Sequence, residues 1–282
     1  MPRLLIALLA ALMLFACGRQ VEEQPPDSFT PEKAGATAGA KDRVGRIYHY
    51  VRTNVDGSDP EDVYVYRKSV EAIEVYKSRR RCANAAFVTA KLNMARGFAT
   101  EIVGGRLTRQ GRQEKFAFLN YDPANRTLAL RVELEGLDPI ERSVRIETEP
   151  WHLYDFDLAS LTVTAPRLEN PKAGFSFGLA LVVADPDRAD PLLYLGEAEA
   201  DFRGEEPRLG RAALRFALGG PAFGSYGGNL WLDANEGHVL DVETGFPNHL
   251  EYDDFKLALR DVDDGGATAW AKLLREHFEG CG

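Results

Sequence analysis

Thr127-Leu128-Ala129-Leu130-Arg131-Val132-Glu133-Leu134 is the stretch that decides how this chain folds. Leu128, Leu130, Val132 and Leu134 fall on one side; Thr127, Arg131 and Glu133 fall on the other. A period of two marks a strand with one buried face. The pattern recurs on both sides of it. Ile140, Val144 and Ile146 oppose Glu141, Ser143, Arg145 and Glu147, and Phe255, Leu257 and Leu259 oppose Lys256 and Arg260. Further strands are expected near 45–54, 61–68, 70–78, 85–93, 98–108, 113–121, 175–184, 192–202, 210–218, 227–234 and 237–244; the stretch 82–95 also reads as a short helix. Asp56-Gly57, Gly104-Gly105, Asp122-Pro123, Gly219-Gly220-Pro221 and Asn235-Glu236-Gly237 punctuate them as turns. Segments so closely spaced, without helices between, join as hairpins and meanders.

One helix is expected after Gly265-Gly266, over Ala267–Phe278. Trp270, Leu273, Leu274, His277 and Phe278 form one apolar stripe there, which must cover the sheet. A shorter helical turn within 151–163 has Asp157 as its expected cap. The fold expected is mainly β: an antiparallel meandering sheet, either strongly curved into a half-barrel or split into two layers, with one C-terminal amphipathic helix.

With 45% apolar and 27% charged residues the composition is that of a globular chain, and 282 residues suffice for one large domain or two small ones. Acidic groups outnumber basic ones, 43 to 34, and the formal charge of −9 argues against nucleic acid as a partner.

Leu4 to Ala16 is an apolar run behind Arg3, too short to span a bilayer comfortably. It ends in Leu14-Phe15-Ala16-Cys17, which resembles a bacterial lipobox. The resemblance implies cleavage after residue 16, acylation of Cys17 and a lipid anchor in the membrane; Gly18, rather than Asp, implies the outer membrane, facing the periplasm. Several acyl chains at about 0.8 kcal/mol per buried CH₂ hold a protein there stably. The alternatives are an ordinary secretory leader or an uncleaved anchor. Residues 17–43, with Pro25-Pro26, Pro31 and the small-residue run 34–40, read as a lipidated cysteine and flexible tether, leaving 44–282 as the β-rich periplasmic domain. Cys82 and Cys281 then remain, and an oxidising compartment makes a disulfide between them the expectation; two unpaired thiols are the alternative.

Catalytic signatures fail on inspection. Gly224-Ser225-Tyr226-Gly227 has Phe223 where a nucleophile elbow needs glycine. Asp261-Val262-Asp263-Asp264-Gly265 departs from a calcium loop at Gly265 and at Lys272. His49, His152, His238, His249 and His277 lack metal-ligand spacing, so no metal and no cofactor is expected. His152 with Asp155 and Asp157 is the nearest approach to an acid–base group, and a periplasmic hydrolase built on it is the competing expectation. The basic run Lys77, Arg79-Arg80-Arg81 reads as a solvated strand end, or as a contact for anionic lipid heads.

Aromatic residues are dense, and several strands are apolar on both faces: Tyr48 and Tyr50 against Ile47 and Val51, Tyr64 and Tyr66 against Val63 and Val65. A sheet covered on both sides explains this, and so does one lining a cavity. For the cavity the candidates are Tyr48, Tyr50, Tyr64, Tyr66, Phe116, Phe118, Phe175, Phe177 and Trp270.

Leader, tether and a meandering sheet closed by a helix together resemble the envelope proteins related to the lipoprotein carriers LolA and LolB. That resemblance implies a half-barrel holding acyl chains or another apolar ligand over roughly 44–280. The function expected is non-catalytic: binding a lipid-like or apolar ligand, or an envelope partner. A structural envelope subunit docking through a sheet edge is the third alternative.

Overall fold

The computed structural model describes residues 43–183 and 190–281, so the leader, Cys17 and nearly all of the expected tether lie outside the described residues. Among the described residues fifteen strands form one open sheet. They are β1 (Ile47–Thr53), β2 (Glu61–Ser69), β3 (Ala72–Ser78), β4 (Ala86–Asn93), β5 (Phe98–Leu107), β6 (Gln113–Asp122), β7 (Thr127–Val132), β8 (Ile140–Arg145), β9 (Trp151–Leu153), β10 (Phe175–Val182), β11 (Leu192–Arg208), β12 (Arg211–Gly219), β13 (Gly228–Asp233), β14 (Val239–Thr244) and β15 (Phe255–Asp263). The mainly β architecture is as expected, and 86–93 is strand rather than helix.

Strands consecutive in the chain are neighbours in the sheet. β1 to β8 extend outward in one direction and β15 to β9 in the other, and the two arms meet where β1 pairs with β15. All pairings are antiparallel except β9 with β10. Those two are linked by a crossover over residues 154–174, the kind of connection a parallel pair requires.

The sheet curls strongly. β5 and β10 stand ten places apart in strand order. In a flat sheet, at about 4.8 Å per strand, that would separate them by about 48 Å. Ile102 of β5 and Val182 of β10 nevertheless line one cavity. The crossover fills much of the concave side. It contains α1 (Ala159–Thr164), every residue of which is buried. Trp151, Tyr154, Phe156 and Leu161 join Tyr50, Val75, Phe98 and Phe216 in a continuous core. Asp157 does not cap α1 as expected: Leu158 holds the N-cap position, and no side chain caps it.

The second helix, α2 (Gly266–Glu276), covers the other face. Trp270 and Leu274 pack on Ile47, Tyr66, Tyr76 and Phe87, while the alternate residues Tyr48, Val65 and Val75 lie in the inner core. The two-sided apolar character of the first strands thus reflects two cores, one on each side of the sheet. Burying Trp270 and Leu274 is worth about 1.5–3 kcal/mol each. Arg81 donates to the carbonyls of Glu276 and Glu279, placing a cation at the C-terminal end of the helix. A disulfide joins Cys82 to Cys281, with Cα atoms 5.6 Å apart, and pins the segment after α2 to the β3–β4 loop.

The opening stretch behaves as its alternation predicts only in part. Leu128 and Leu130 are buried, but β7 stops at Val132. Leu134, Leu137 and Ile140 stand exposed at the tip of the β7–β8 hairpin, because β8 is the sheet edge and the tip has no layer against it.

Candidate functional site

A cavity of about 610 Å³ lies on the concave side, between β4–β6, the crossover, the end of β10 and the loop 246–252. Such a volume is within the range of small-molecule sites. Its wall is largely apolar, with Val88, Ile102, Phe116, Leu119, Phe156 and Leu181 among the lining residues. Gly105 belongs to that wall at a register shift between β5 and β6, and a Cβ on it would stand 2.3 Å from the Glu114 carbonyl oxygen. No side chain larger than hydrogen allows β6 that close an approach.

One end of the cavity is polar. Arg52, Glu61 and Lys77 come from the ends of β1, β2 and β3 that lie together in the antiparallel sheet, with Arg52 directly opposite Glu61. Each sits at an inward position of its strand, continuing Tyr48-Tyr50, Val65-Val63 and Ile73-Val75. The crossover brings Asp155 and Asp157 to them. Arg52 Nη1 donates to Asp157 Oδ1 at 3.1 Å, and Arg52 Nη2 pairs with Glu61. Lys77 Nζ stands 2.5 Å from Asp157 Oδ2 and donates to the Asp155 carbonyl at 2.6 Å. Asn248 Nδ2 donates to Asp157 Oδ1 at 2.8 Å. The Arg52 guanidinium also lies over the Tyr252 ring, 4.6 Å from its centre.

Asp157 is 1% exposed. Burial alone would raise its carboxyl, but Arg52 and Lys77 outweigh burial and hold it well below the usual carboxylate range. Asp155 goes the other way: burial pushes it up to about 6, against the Val182 N–H it accepts and the charge of Lys77. Burial, then Lys77 and Arg52, pushes His249 down to about 2, so its imidazole is neutral. Asp157 and Leu158 both adopt left-handed backbone, with φ of 50° and 52°. Two adjacent non-glycine residues in that region cost about 1–3 kcal/mol each, and the ion pairs on Asp157 hold them there.

The residues singled out from sequence are distributed differently. Of the aromatic candidates, Phe116 lines this cavity. Tyr48, Tyr50 and Phe177 are packed in the inner core, with Phe175 against it. Tyr66 and Trp270 belong to the layer under α2, with Tyr64 packed on that layer. Phe118 pairs with Val103 rather than facing the cavity. His152 is 2% exposed and shares a hydrogen bond with Ser160 Oγ at 2.8 Å; among the described residues neither Asp155 nor Asp157 bonds to it. Burial pushes its imidazole down to about 3. The histidine that does reach Asp155 and Asp157 is His249. Arg79 is engaged with Glu251 and Tyr252, so the basic run folds back onto the protein at two of its arginines.

Sequence reasoning missed Arg52, Glu61 and Asn248, named His249 only as a histidine without metal-ligand spacing, and read Lys77 as part of a solvated strand end, whereas it is buried and paired with Asp157. A signal for Arg52, Glu61 and Lys77 was present: each is a charge at a position where the alternation of its strand calls for an apolar side chain. Among the cavity-lining residues the only hydroxyl is the Tyr252 phenol, there is no thiol, and Lys77 is engaged with Asp157. The chain matches no known family profile and no curated protein sequence.

Proposed function

We propose that this chain is a lipid-anchored protein of the bacterial envelope, attached to the outer membrane through Cys17, whose curled sheet binds an apolar or lipid-like ligand without catalysing a reaction on it. The cavity carries this reading: an apolar chamber of about 610 Å³ with a single polar end is the shape of a site for an amphiphile. Its wall is held by strand pairing, so the site is preformed. The ion pairs at its end are internally satisfied and do not collapse it.

The test is native mass spectrometry of the full chain carrying Cys17→Ser, purified without acylation. A co-purifying lipid is expected, and Val88→Trp, which fills the chamber from β4, abolishes it. A chain that is ligand-free and also takes up no apolar fluorophore overturns the reading. Anchoring is tested separately: Cys17→Ser releases the protein from the membrane fraction, and retention there refutes lipidation.

A further inference from the structure

One carboxylate at the polar end of the cavity has no cation of its own. Arg52 pairs with Glu61 and Asp157, and Lys77 pairs with Asp157. Asp155 stands outside these pairs. Among the described residues its carboxylate accepts from the Val182 N–H alone, onto Oδ1 at 3.0 Å. Lys77 turns its Nζ to Asp157 and to the Asp155 backbone carbonyl instead. At the rim Glu251 pairs with Arg79, and the His249 imidazole is neutral. The carboxylates of Glu61, Asp155 and Asp157 thus share only Arg52 and Lys77. With its carboxyl at about 6, Asp155 is mostly ionised at neutral pH, and this end carries one negative charge in excess.

The surplus charge faces the chamber. Asp155 lines the cavity and keeps part of its surface accessible, whereas Asp157 is sealed. Asp155 Oδ2 accepts no hydrogen bond among the described residues, and it is not one of the fully enclosed polar atoms. Burial nevertheless dominates the acidity of this carboxyl, so the space it opens onto is the cavity and not bulk solvent. Phe156, next to Asp155, and Leu181 and Val183, on either side of Val182, line the cavity with apolar surface around it. A carboxylate in such surroundings is costly until a donor of opposite charge reaches it. Among the described residues no three His, Cys, Asp or Glu side chains gather as metal ligands, so an inorganic divalent ion would find too few donors here. An organic cation with an apolar body suits both the charge and the wall.

We infer that the ligand is a monocationic amphiphile, a protonated amine whose ammonium pairs with Asp155 Oδ2 and whose apolar chain runs along Phe156 and Leu181 toward Ile102. This rests on the proposed ligand-binding function and adds the charge of the head. An anionic head meets the surplus as like charge, and the cations beside it, Arg52 and Lys77, are already engaged.

The experiment is competition, at neutral pH, against an uncharged apolar fluorophore bound to the full chain with Cys17→Ser. Decylamine, decanol and decanoate share a chain and differ in head. Decylamine should displace the probe at roughly tenfold lower concentration than decanol, and decanoate should be the weakest of the three. Asp155→Asn removes the charge and keeps an oxygen for the Val182 N–H. It should retain its Tm and bring decylamine to within about twofold of decanol. Should that variant fail to fold, the order of the three heads on the unsubstituted site decides alone. Decanol or decanoate binding as tightly as decylamine overturns the inference while ligand binding stands. A folded Asp155→Asn protein that keeps the full preference for decylamine over decanol overturns the assigned contact. Failure of the probe to bind overturns the ligand-binding function and this inference together.

Discussion

Asp157→Asn is the most informative single change in this fold. The carboxylate accepts from Arg52 at 3.1 Å and from Asn248 at 2.8 Å, and pairs with Lys77 at 2.5 Å. Arg52 is 2% exposed and Lys77 is 5% exposed. Asparagine preserves the volume and one acceptor oxygen but removes the charge, so that among the described residues Lys77 loses its carboxylate partner and Arg52 keeps only Glu61 as one. Removing one member of a buried ion pair costs about 3–5 kcal/mol, mostly as the penalty on the charge left behind. In urea unfolding, with a slope of about 3 kcal/mol per molar for a chain of this size, the midpoint should fall by about 1 M or more. Lys77→Met in the same chain removes the stranded charge, so the double variant should be less destabilised than the sum of the singles by about 1–3 kcal/mol. The pH dependence is fixed in sign. A carboxyl held below its unfolded value contributes stability that is present above about pH 4 and is lost as pH falls through the folded value. The gap between wild type and variant should therefore be constant from pH 5 to pH 8, about as wide at either end, and close in stronger acid. A cost under about 1 kcal/mol, or strict additivity with Lys77→Met, refutes the account of this network.

Three further outcomes follow from other parts of the fold. Cys281→Ser opens a loop closed over a sequence separation of 199 residues, worth about 5 kcal/mol by chain entropy, and should expose α2 to protease first; unchanged Tm and protease resistance would refute it. His152 and His238, held down to about 3 and about 4 chiefly by burial, bind a proton only on unfolding, so each makes stability fall as pH drops below about 6.5. Asp155 and Asp241, both raised to about 6, act in the opposite sense, and His152→Phe should accordingly reduce the acid slope by about one proton, or about 1.4 kcal/mol per pH unit; an unaltered slope counts against a neutral buried His152. Gly228→Ala places a Cβ 2.1 Å from the Glu243 carbonyl oxygen and should cost about 1–3 kcal/mol through forced separation of β13 and β14, measured by denaturant midpoint.

Most of the architecture was legible because alternation is a local signal. Leu128 and Leu130 announce a half-buried strand without reference to anything distant, and Trp270 with Leu274 announces a covering helix. What lies between the strands was not. Tyr64, Tyr66 and Trp270 look the same in sequence whether they line a chamber or pack under α2; only the curl of the sheet decides, and curl depends on the whole strand order. The crossover was misread for a related reason. Asp157 has the residue type and spacing of a helix cap, yet its partners Arg52 and Lys77 lie far upstream of it in two different strands, Arg52 by 105 residues, and no local rule reports them. The polar end could have been suspected from Lys77 following Ile73 and Val75 on one face, since a lysine facing inward needs a partner.

The meeting of β1 with β15 has a consequence for assembly. Ile47 lies opposite Asp263, so the central seam of the sheet is made from the first and last strands described. Each arm is a run of local hairpins that can form as the chain emerges, but the seam waits for the final strand. Joining partners so remote in sequence is slow, because loop closure precedes any reward from contact. Until then β1 presents an open edge of unpaired amides, the situation in which chains misassociate. A nascent molecule of this design therefore benefits from being kept apart from its neighbours until its last strand docks.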